Sequence, residues 1–462
     1  MNLKIAELIF IIPLLLVVIS CSNKNESIKK FTGADHEIKL MILDPGHFHA
    51  GLVQKVQYDQ VSPLVYIYAP EGQDVKDHLA RVDGFNNRAV NPTNWKSKIY
   101  TGFDYLEKMI SEKPGNVMIT SGKNDKKIIY IKAAIDAGIN VFADKPMCID
   151  KEGFELLIKT FEAAKKNNVL LYDIMTERSE ITSIMQKELI EVPEVFGTII
   201  QGSLENPAVV KSSVHHFFKY VAGKPLKRPA WFFDSAQQGD GLVDVTTHLV
   251  DLIQWELFPE QILNYKTDVE DIVPKHWPTK LTLEQFSNVT KLEKFPEFLQ
   301  SKIIDNVLPV YSNGEINYSL KGIHAKIVVE WKYQAPKGGG DTHYSIIKGT
   351  KSNIIIKQGK EQNYKPELYV EAAKDEDKEE LNKQLNISVT NLQNKYPGIE
   401  VERENEYWHI IIPDKYRVGH EAHFGQVMER YLGYLVDGKL PKWEVPNMIT
   451  KYYTTTEALE MR

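Results

Sequence analysis

Short apolar runs alternate with amphipathic stretches over the first third of the chain, in the order IKLMILD (38–44), LVYIYA (64–69), NVMITS (116–121), NVFADK (140–145) and VLLYDI (169–174). Helical periodicity is clearest in residues 126–138 and 153–168, and Asp150 precedes the second helix as a predicted N-cap. Continuously apolar strands separated by helices are typical of a parallel sheet covered on both faces. The pattern predicts a doubly wound dinucleotide-binding domain over residues 37–174.

After residue 175 the pattern changes to longer stretches rich in β-branched and aromatic residues, which predict strands at 195–204, 325–334, 343–358 and 407–413. Helices are expected over Leu242–Leu257 and near 375–395, 421–436 and 447–459. Residues 265–300 are rich in Pro, Lys and Glu and look like an insertion. The predicted fold class is α/β. A Rossmann-type doubly wound parallel sheet precedes an α+β domain at 175–462, with a mostly antiparallel open sheet for substrate binding or oligomerisation.

The first 21 residues have the pattern of an export signal. Lys4 precedes an apolar run from Leu8 to Ile19, and this run is shorter than the roughly 20 residues that span a bilayer. The ending V-I-S-C resembles a bacterial lipobox, in which Cys21 becomes the lipidated first residue. A plain signal peptide with a chance cysteine is the alternative. Residues 22–36 are polar and predict a flexible tether. We expect an exported lipoprotein, held to the membrane by its lipid alone and facing the periplasm or the outer surface.

Composition narrows the class of ligand. Removing the signal leaves about 440 residues, enough for two domains of roughly 100–200 residues each. Hydrophobic residues make up 43% of the chain, which is sufficient for a large core. The chain has two cysteines, Cys21 and Cys148, so no disulfide framework is expected. The net charge of -6 does not predict a nucleic-acid partner. A small neutral or polar ligand is the better expectation.

The turn after the first predicted strand is the candidate cofactor site. Dinucleotide-binding folds place a glycine-rich turn there, because backbone amides must approach the pyrophosphate. The turn reads LDPGHFHAGL (43–52), so only Gly46 of the G-x-G-x-x-G pattern is kept, with Asp44 and His49 at the other two positions. An ordinary strand-to-helix turn is the alternative. His47 and His49 are predicted to line the phosphate or substrate side.

The end of the second predicted strand bears on the choice of cofactor. An acidic residue about 20 residues beyond the glycine turn binds the ribose 2′-hydroxyl of NAD, whereas a basic one favours the 2′-phosphate of NADP. Glu71 follows the strand close to this position. The sequence therefore predicts NAD or NADP, with NAD slightly favoured.

Two segments carry the candidate catalytic chemistry. ADKPM (143–147) lies at the carboxyl end of a predicted parallel strand, and the Lys145 ammonium could stabilise charge on a reacting oxygen in a dry pocket. A surface lysine is the alternative. GDGLVDVTTHLVDL (239–252) places Asp244 and His248 four residues apart, on one face of a predicted helix. His248 is suited to accept a hydroxyl proton. A helix-face pair that serves only stability is the alternative.

These two segments together resemble the lysine and the Asp-x3-His pair of the Gfo/Idh/MocA oxidoreductases, which use a nicotinamide cofactor mostly on sugars and polyols. The resemblance extends over nearly the whole chain after the signal. It implies that Lys145 lies beside the nicotinamide and stabilises the reacting oxygen, that His248 removes the proton and that Asp244 orients the substrate. It also implies that Ser121 and Gly122 contact the ribose and nicotinamide, although the histidine common in the family is missing there.

Residues 212–234 are dense in polar and aromatic groups that could contact a sugar, and the candidates are His216, Lys219 and Trp231. Core packing and ordinary surface are the alternative. No metal site is expected. His215 and His216 would point opposite ways on a strand, and His420 and His423 lack the HExxH spacing of a zinc helix.

The leading hypothesis is an exported oxidoreductase that moves hydride between a secondary hydroxyl of a sugar or glycoside and a bound nicotinamide. Free cofactor is not expected outside the cytoplasm, so it should be held tightly and recycled in place. One alternative is an NAD-dependent glycoside hydrolase with no net redox change. Another is a non-catalytic carbohydrate-binding lipoprotein that has lost its cofactor. The antiparallel sheet could support a homo-oligomer.

Overall fold

The structure is a computed structural model that describes residues 31–221 and 224–462. The predicted signal, its Cys21 and most of the predicted tether lie outside the described residues. The last part of that tether is docked, because Phe31 packs against the N-terminal core and the backbone amides of Thr32 and Gly33 donate to Glu37 Oε2 at 2.8 and 3.0 Å. Within the described ranges, no helix is both long enough and apolar enough to cross a membrane.

Six parallel strands form the N-terminal sheet in the order β3-β2-β1-β4-β5-β6. The strands are β1 (Leu40–Leu43), β2 (Leu64–Ala69), β3 (Lys96–Thr101), β4 (Val117–Thr120), β5 (Asn140–Asp144) and β6 (Leu171–Ile174). The helices are α1 (His49–Leu52), α2 (Gln73–Asn86), α3 (Tyr105–Glu112), α4 (Asn124–Asp136) and α5 (Lys151–Asn167). The strand order reverses between β1 and β4, and doubly wound sheets bind their ligands in the crevice at this point.

The local signals of β1, β4, β5, β6 and α5 behave as the pattern predicts. Every residue of β1, β4, β5 and β6 is buried, which explains their continuous apolar runs. Asp150 is the N-cap of α5, and its side chain accepts a hydrogen bond of 2.7 Å from the backbone amide of Gly153. The Rossmann-type parallel sheet is confirmed.

Nine strands form the second sheet in the order β10-β11-β12-β7-β13-β14-β15-β17-β16, and of these pairs only β12 and β7 run parallel. The strands are β7 (Val209–Phe218), β10 (Val269–Thr282), β11 (Val307–Leu320), β12 (Ile323–Gln334), β13 (Thr342–Lys348), β14 (Ser352–Gln358), β15 (Glu367–Ala372), β16 (Glu400–Glu404) and β17 (Tyr407–Ile411), with β8 (Tyr220–Val221) and β9 (Lys224–Pro225) forming a separate hairpin. The mostly antiparallel sheet is confirmed.

The helices of this half are α6 (Ile181–Ile190), α7 (Ser235–Gln238), α8 (Thr246–Leu257), α9 (Leu283–Thr290), α10 (Glu297–Gln300), α11 (Lys378–Leu392), α12 (His420–Asp437) and α13 (Glu444–Glu460). Apolar residues of α6, α8 and α11 share one core with the strands of the nine-stranded sheet. Helices α12 and α13 return to the N-terminal half, where Phe424, Tyr431, Met448 and Tyr452 belong to its core. The last two helices therefore join both halves of the chain.

The strand predicted at 195–204 is wrong. This segment is irregular, and it pairs only through isolated bridges from Ile199 to Gly349 and from Gly202 to Pro207. Gly197 has a φ of 75°, a conformation that interrupts a strand, and a Cβ there would stand 2.1 Å from Thr350 Oγ1. The strand begins only at Val209.

The insertion predicted at 265–300 is also wrong. The 14-residue strand β10 fills much of this segment and pairs with β11 at the edge of the sheet. Pro274 and Pro278 are tolerated because an edge strand leaves one row of backbone groups without a ladder partner. Strand β10 leads directly into α9, where Thr282 and Gln285 form a capping box.

Candidate active site

The three predicted catalytic residues meet between the two halves of the chain. Lys145 directly follows β5, and its Nζ donates to Asp244 Oδ1 at 2.8 Å. Gln238 Nε2 donates to Asp244 Oδ2 at 3.0 Å, so both carboxylate oxygens are held. The helix predicted from Leu242 begins only at Thr246, which places Asp244 in the preceding turn and His248 in the first turn of α8. The carboxylate is thus fixed by its partners and not by the helix.

His248 is a neutral imidazole in this setting. Burial, reinforced by the Lys145 ammonium and by His420, lowers the pKa of His248 well below its usual value. Its Nδ1 is buried and has no hydrogen-bond partner among the described residues. A neutral ring with a free nitrogen can accept a proton or a hydrogen bond from a bound hydroxyl.

A second polar cluster lies directly behind Lys145. Asp144 Oδ2 accepts from His49 Nδ1 at 3.0 Å and from Ser121 Oγ at 2.8 Å, and His47 Nδ1 lies 3.6 Å from the same oxygen. Burial lowers the pKa of both His47 and His49. Ser121 is fully buried and donates its hydroxyl to Asp144, so it supports the site from within and does not make the predicted contact from the cavity wall.

Lys127 is a functional candidate that the sequence did not single out. It lies within the lysine-rich segment KNDKK and is fully buried, with Nζ donating to Asn124 Oδ1 at 2.6 Å. Asn124 Nδ2 in turn donates to the backbone carbonyl of Gln238 at 2.6 Å, next to the Asp244 site. Burial lowers the pKa of Lys127 to about 8. The spacing of the apolar residues of α4 places Lys127 on its inward face, and this spacing is the sequence signal that could have identified it.

Glu177 and His420 close the opposite side of the site. Glu177 lies in a 3-10 turn after β6, and His420 is the first residue of α12. Glu177 Oε1 lies 4.0 Å from His420 Nε2, and the His420 ring lies 5.6 Å from that of His49. The His420 side chain is 44% exposed, and the desolvation of its packed part, with His49 and His423 nearby, lowers its pKa. His420 therefore belongs to the site through its contacts with Glu177 and His49.

The predicted cofactor turn departs from the usual pattern in two ways. Asp44 stands at the first glycine position with a φ of 48°, and its Oδ2 accepts from Tyr130 OH at 3.0 Å. Its carboxylate is therefore turned into the domain. The helix that follows, α1, has only four residues. Because α1 is a single helical turn, its dipole would contribute little to binding a pyrophosphate. Backbone amides and nearby cations would contribute more than the helix.

The two turns at the switch point touch each other. A Cβ at Gly122 would stand 2.3 Å from the Asp44 carbonyl oxygen and 3.1 Å from the amide nitrogen of Gly46. Only glycine fits there, which brings the turns after β1 and β4 into contact. Gly46 and Gly122 thus lie side by side at the switch point, where doubly wound sheets bind their ligands.

A cavity of about 440 Å³ opens at these turns. One wall comes from the N-terminal half and includes Gly46, His47, Asp74 and Lys123, and the other includes Arg228. Cations suit a pyrophosphate and carboxylates suit ribose hydroxyls, so the donor set fits a dinucleotide. Glu71 is exposed at the end of β2 and does not line this cavity. Asp74 stands at the cavity instead, three residues later.

Trp231, predicted to contact the substrate, instead lies across this cavity with its ring engaged by other residues. Its Nε1 donates to Asp74 Oδ2 at 3.0 Å, and a Cβ at Gly46 would be 3.2 Å from its ring. His216 and Lys219 lie elsewhere, where they meet on Asp341 at 2.9 and 2.8 Å. Of the three predicted substrate residues, only His216 and Lys219 thus lie together.

The fold and this site define a two-domain oxidoreductase with a Rossmann-type cofactor domain. The chain belongs to the family described as "Putative oxidoreductase C terminal domain", which matches residues 185–462. Its structure is similar to that of a "putative oxidoreductase" from Parabacteroides merdae ATCC 43184, with 55% identity, a TM-score of 0.92, and coverage of 94% of this chain and 99% of that one. A comparison with curated proteins found no match.

More distant solved structures share the fold. Levoglucosan dehydrogenase in complex with NADH has a TM-score of 0.58 at 12% identity and covers 92% of this chain and 96% of its own. KijD10, a 3-ketoreductase from Actinomadura kijaniata in complex with NADP, has a TM-score of 0.56 at 10% identity, with 90% and 94% covered. At 10–12% identity, these likenesses show a shared fold.

Proposed function

We propose that the protein oxidises or reduces a secondary hydroxyl carbon of a sugar or glycoside with NAD or NADP. The observation that carries this proposal is the contact of Lys145 with Asp244 at 2.8 Å, beside the neutral ring of His248 and at the carboxyl edge of β5. An ammonium, a carboxylate and a proton acceptor together suit a polyhydroxylated substrate. The likeness in fold to levoglucosan dehydrogenase supports the choice of substrate.

Each of the three residues has a separate task in this proposal. Lys145 donates a hydrogen bond to the reacting oxygen and stabilises negative charge there. His248 accepts the hydroxyl proton in the oxidative direction and returns it in the reductive one. Asp244 exchanges part of its contact with Lys145 for a neighbouring substrate hydroxyl. The nicotinamide supplies or accepts the hydride when it is bound.

The residues that would contact the cofactor are inferred from those that line the cavity. The amides near Gly46 and the side chains of Arg81 and Lys123 would hold the pyrophosphate, because all three residues line the cavity. Asp74 and Asp77, which also line it, would bind ribose hydroxyls and oppose a 2′-phosphate. This supports NAD over NADP.

We further propose that the protein is an exported lipoprotein, anchored through Cys21, that keeps its cofactor bound and recycles it. Its partners would be the sugar substrate and, through the lipid, the membrane. A glycoside hydrolase with transient oxidation would use the same three residues and would release a cleaved sugar without reduced cofactor. A third candidate is a carbohydrate-binding protein without cofactor. The degenerate glycine turn and the four-residue α1 are the observations that support it.

The first experiment is to denature the purified protein and identify what it releases by absorbance and mass spectrometry. We expect about one NAD per chain for a resident cofactor. The second is a sugar screen with Lys145→Ala and His248→Ala, where we expect the turnover rate to fall by roughly 10²–10⁴-fold. Lys151→Ala, at an exposed position six residues along, is the matched control and should keep full activity. A protein that releases no cofactor and binds none when it is added would refute the oxidoreductase.

A further inference from the structure

The cluster behind Lys145 contains more ligand atoms than hydrogen bonding uses. His47, His49 and Asp144 each offer one ligand atom, and these three atoms lie within 4.8 Å of one another. His49 Nδ1 and His47 Nδ1 are 3.0 and 3.6 Å from the same Asp144 oxygen. The cluster combines a His-x-His pair after β1 with an aspartate at the end of β5.

In the part of the chain that the structure describes, the Asp144 carboxylate has no lysine or arginine in direct contact, although the charge of Lys127 acts on it from a longer distance. It is 3% exposed, yet no lysine or arginine lies within ion-pair distance of it among the described residues. Lys145 Nζ is bound to Asp244 instead, and Lys127 Nζ to Asn124. A buried charge is normally paired or bound to a metal, so this carboxylate calls for a positive partner.

Two further atoms in the cluster have no hydrogen bond. Asp144 Oδ1 and His47 Nδ1 are both buried and find no partner among the described residues. Buried polar atoms are almost always satisfied, and each exception requires an explanation such as an ion. A metal ion bound to Asp144 Oδ2 and the two imidazoles would engage His47 Nδ1, and it would also engage Asp144 Oδ1 if the carboxylate bound through both oxygens.

The spacing suits zinc. Ligand atoms about 2.0–2.2 Å from a tetrahedral zinc stand about 3.3–3.6 Å from one another. The observed 3.0 and 3.6 Å therefore need only a small adjustment. Ser121 Oγ, which donates to Asp144 at 2.8 Å, would then orient the carboxylate from outside, as groups around metal ligands commonly do.

We propose that His47, His49 and Asp144 form a zinc site with one open coordination position, next to Lys145. Two imidazoles and one carboxylate are a ligand set that zinc accepts, and three protein ligands leave a fourth position for water or a substrate oxygen. This site does not depend on the proposed redox function. It revises the expectation from sequence that the chain has no metal site.

The experiment is a titration of chelator-treated full-length protein with Zn²⁺ by calorimetry, with Co²⁺ absorbance as a second readout of ligand geometry. We expect one ion per chain and a rise in melting temperature with Zn²⁺. His47→Ala, His49→Ala and Asp144→Asn should each weaken zinc binding by at least about 100-fold. Circular dichroism would show whether each variant is folded. The titration is repeated with His49→Gln in place of any variant that is not folded.

The matched control is His276→Ala. His276 Nδ1 contacts Asp240 Oδ2 at 2.8 Å, so it is a histidine–aspartate pair of the same kind with a single imidazole. Its removal should leave zinc binding unchanged. The proposal is overturned if the wild-type protein takes up no zinc, or if the cluster variants bind zinc as the wild type and His276→Ala do. In either case His49 and Asp144 would form only a hydrogen-bonded pair. An inactive protein that still binds zinc would separate this result from the redox proposal.

Discussion

Glu177 is a carboxyl group whose charge the fold disfavours. Burial, together with the nearby Glu180 carboxylate, raises the pKa of Glu177 from 4.5 to about 7. The folded protein then holds a proton that the unfolded chain has already released. This contribution to stability is fully present below about pH 4.5 and is lost as the pH rises through about 7.

Glu177→Gln should therefore make the stability of the protein less dependent on pH. We expect the fall in the free energy of unfolding between about pH 4.5 and pH 8 to be smaller in the variant than in the wild type, as measured by urea denaturation. Glu155→Gln, on the exposed surface of α5, removes the same formal charge without the burial and serves as the control. An unchanged pH dependence in Glu177→Gln would show that this carboxyl does not titrate as inferred.

Single residues differ in how far the sequence revealed them. Lys145, Asp244 and His248 could be placed in one site because each lies in a motif with a recognisable chemistry. His420 and Glu177 could not, because they reach the site only through the packing of α12 and of the turn after β6. Lys127 was missed for another reason: a lysine among lysines predicts a solvated face, although the apolar spacing of α4 places this one on the inward face.

At the level of elements, residues 226–233 form a strap over the cavity of about 440 Å³ in which we propose that the cofactor binds. Arg228 fixes its base, with its guanidinium stacked 4.6 Å from the Phe232 ring and its Nε donating to the Phe217 carbonyl at 3.0 Å. Trp231 fixes its far end on α2 through the 3.0 Å bond to Asp74. The strap thus bridges the two halves across the opening of the cavity.

Loosening the strap should speed up the loss of cofactor. Trp231→Phe keeps an aromatic ring but removes the N–H, and the loss of this hydrogen bond to a carboxylate is worth about 1.5–3 kcal/mol, or roughly 10–150-fold in the release rate. The release of fluorescent NADH from the loaded protein after dilution would measure this rate. Trp443→Phe, a tryptophan beside α13 and outside the cavity, is the control. Equal release rates in all three proteins would contradict a retaining role for the strap.

Elements were predicted well where burial alone decides them. Strands β1, β4, β5 and β6 are buried along their whole length, so their apolar runs are unambiguous. The edge strand β3 is mostly exposed and has no such run, and it was not predicted. The segments 195–204 and 265–300 failed because the deciding facts are backbone conformation and position in the sheet. Glycines with positive φ break an apolar run, and an edge strand accepts the prolines that a central one would exclude.

For the molecule as a whole, a buried ion network joins the two halves. Arg178 donates two hydrogen bonds to Asp251 of α8, at 2.6 and 2.7 Å, and contacts Glu444 of α13 at 3.0 Å. Lys451 of α13 pairs with Asp251 at 2.9 Å and with Asp173 of β6 at 2.7 Å. All five side chains are 3% exposed or less. The active site lies between the elements that this network joins, so its geometry depends on their relative position.

Breaking this network should lower the stability of both halves together. Arg178→Met leaves Asp251 and Glu444 without their shared cation, and removing one partner of a buried ion pair costs about 3–5 kcal/mol. We expect a lower melting temperature in calorimetry but still one transition, because α12 and α13 also join the halves through apolar contacts. Arg403→Ala removes an exposed ion pair with Glu379 and should change the free energy of unfolding by about 1 kcal/mol or less. Two separate transitions in Arg178→Met would mean that the apolar contacts cannot couple the halves alone, and that the ion network itself holds the active site together.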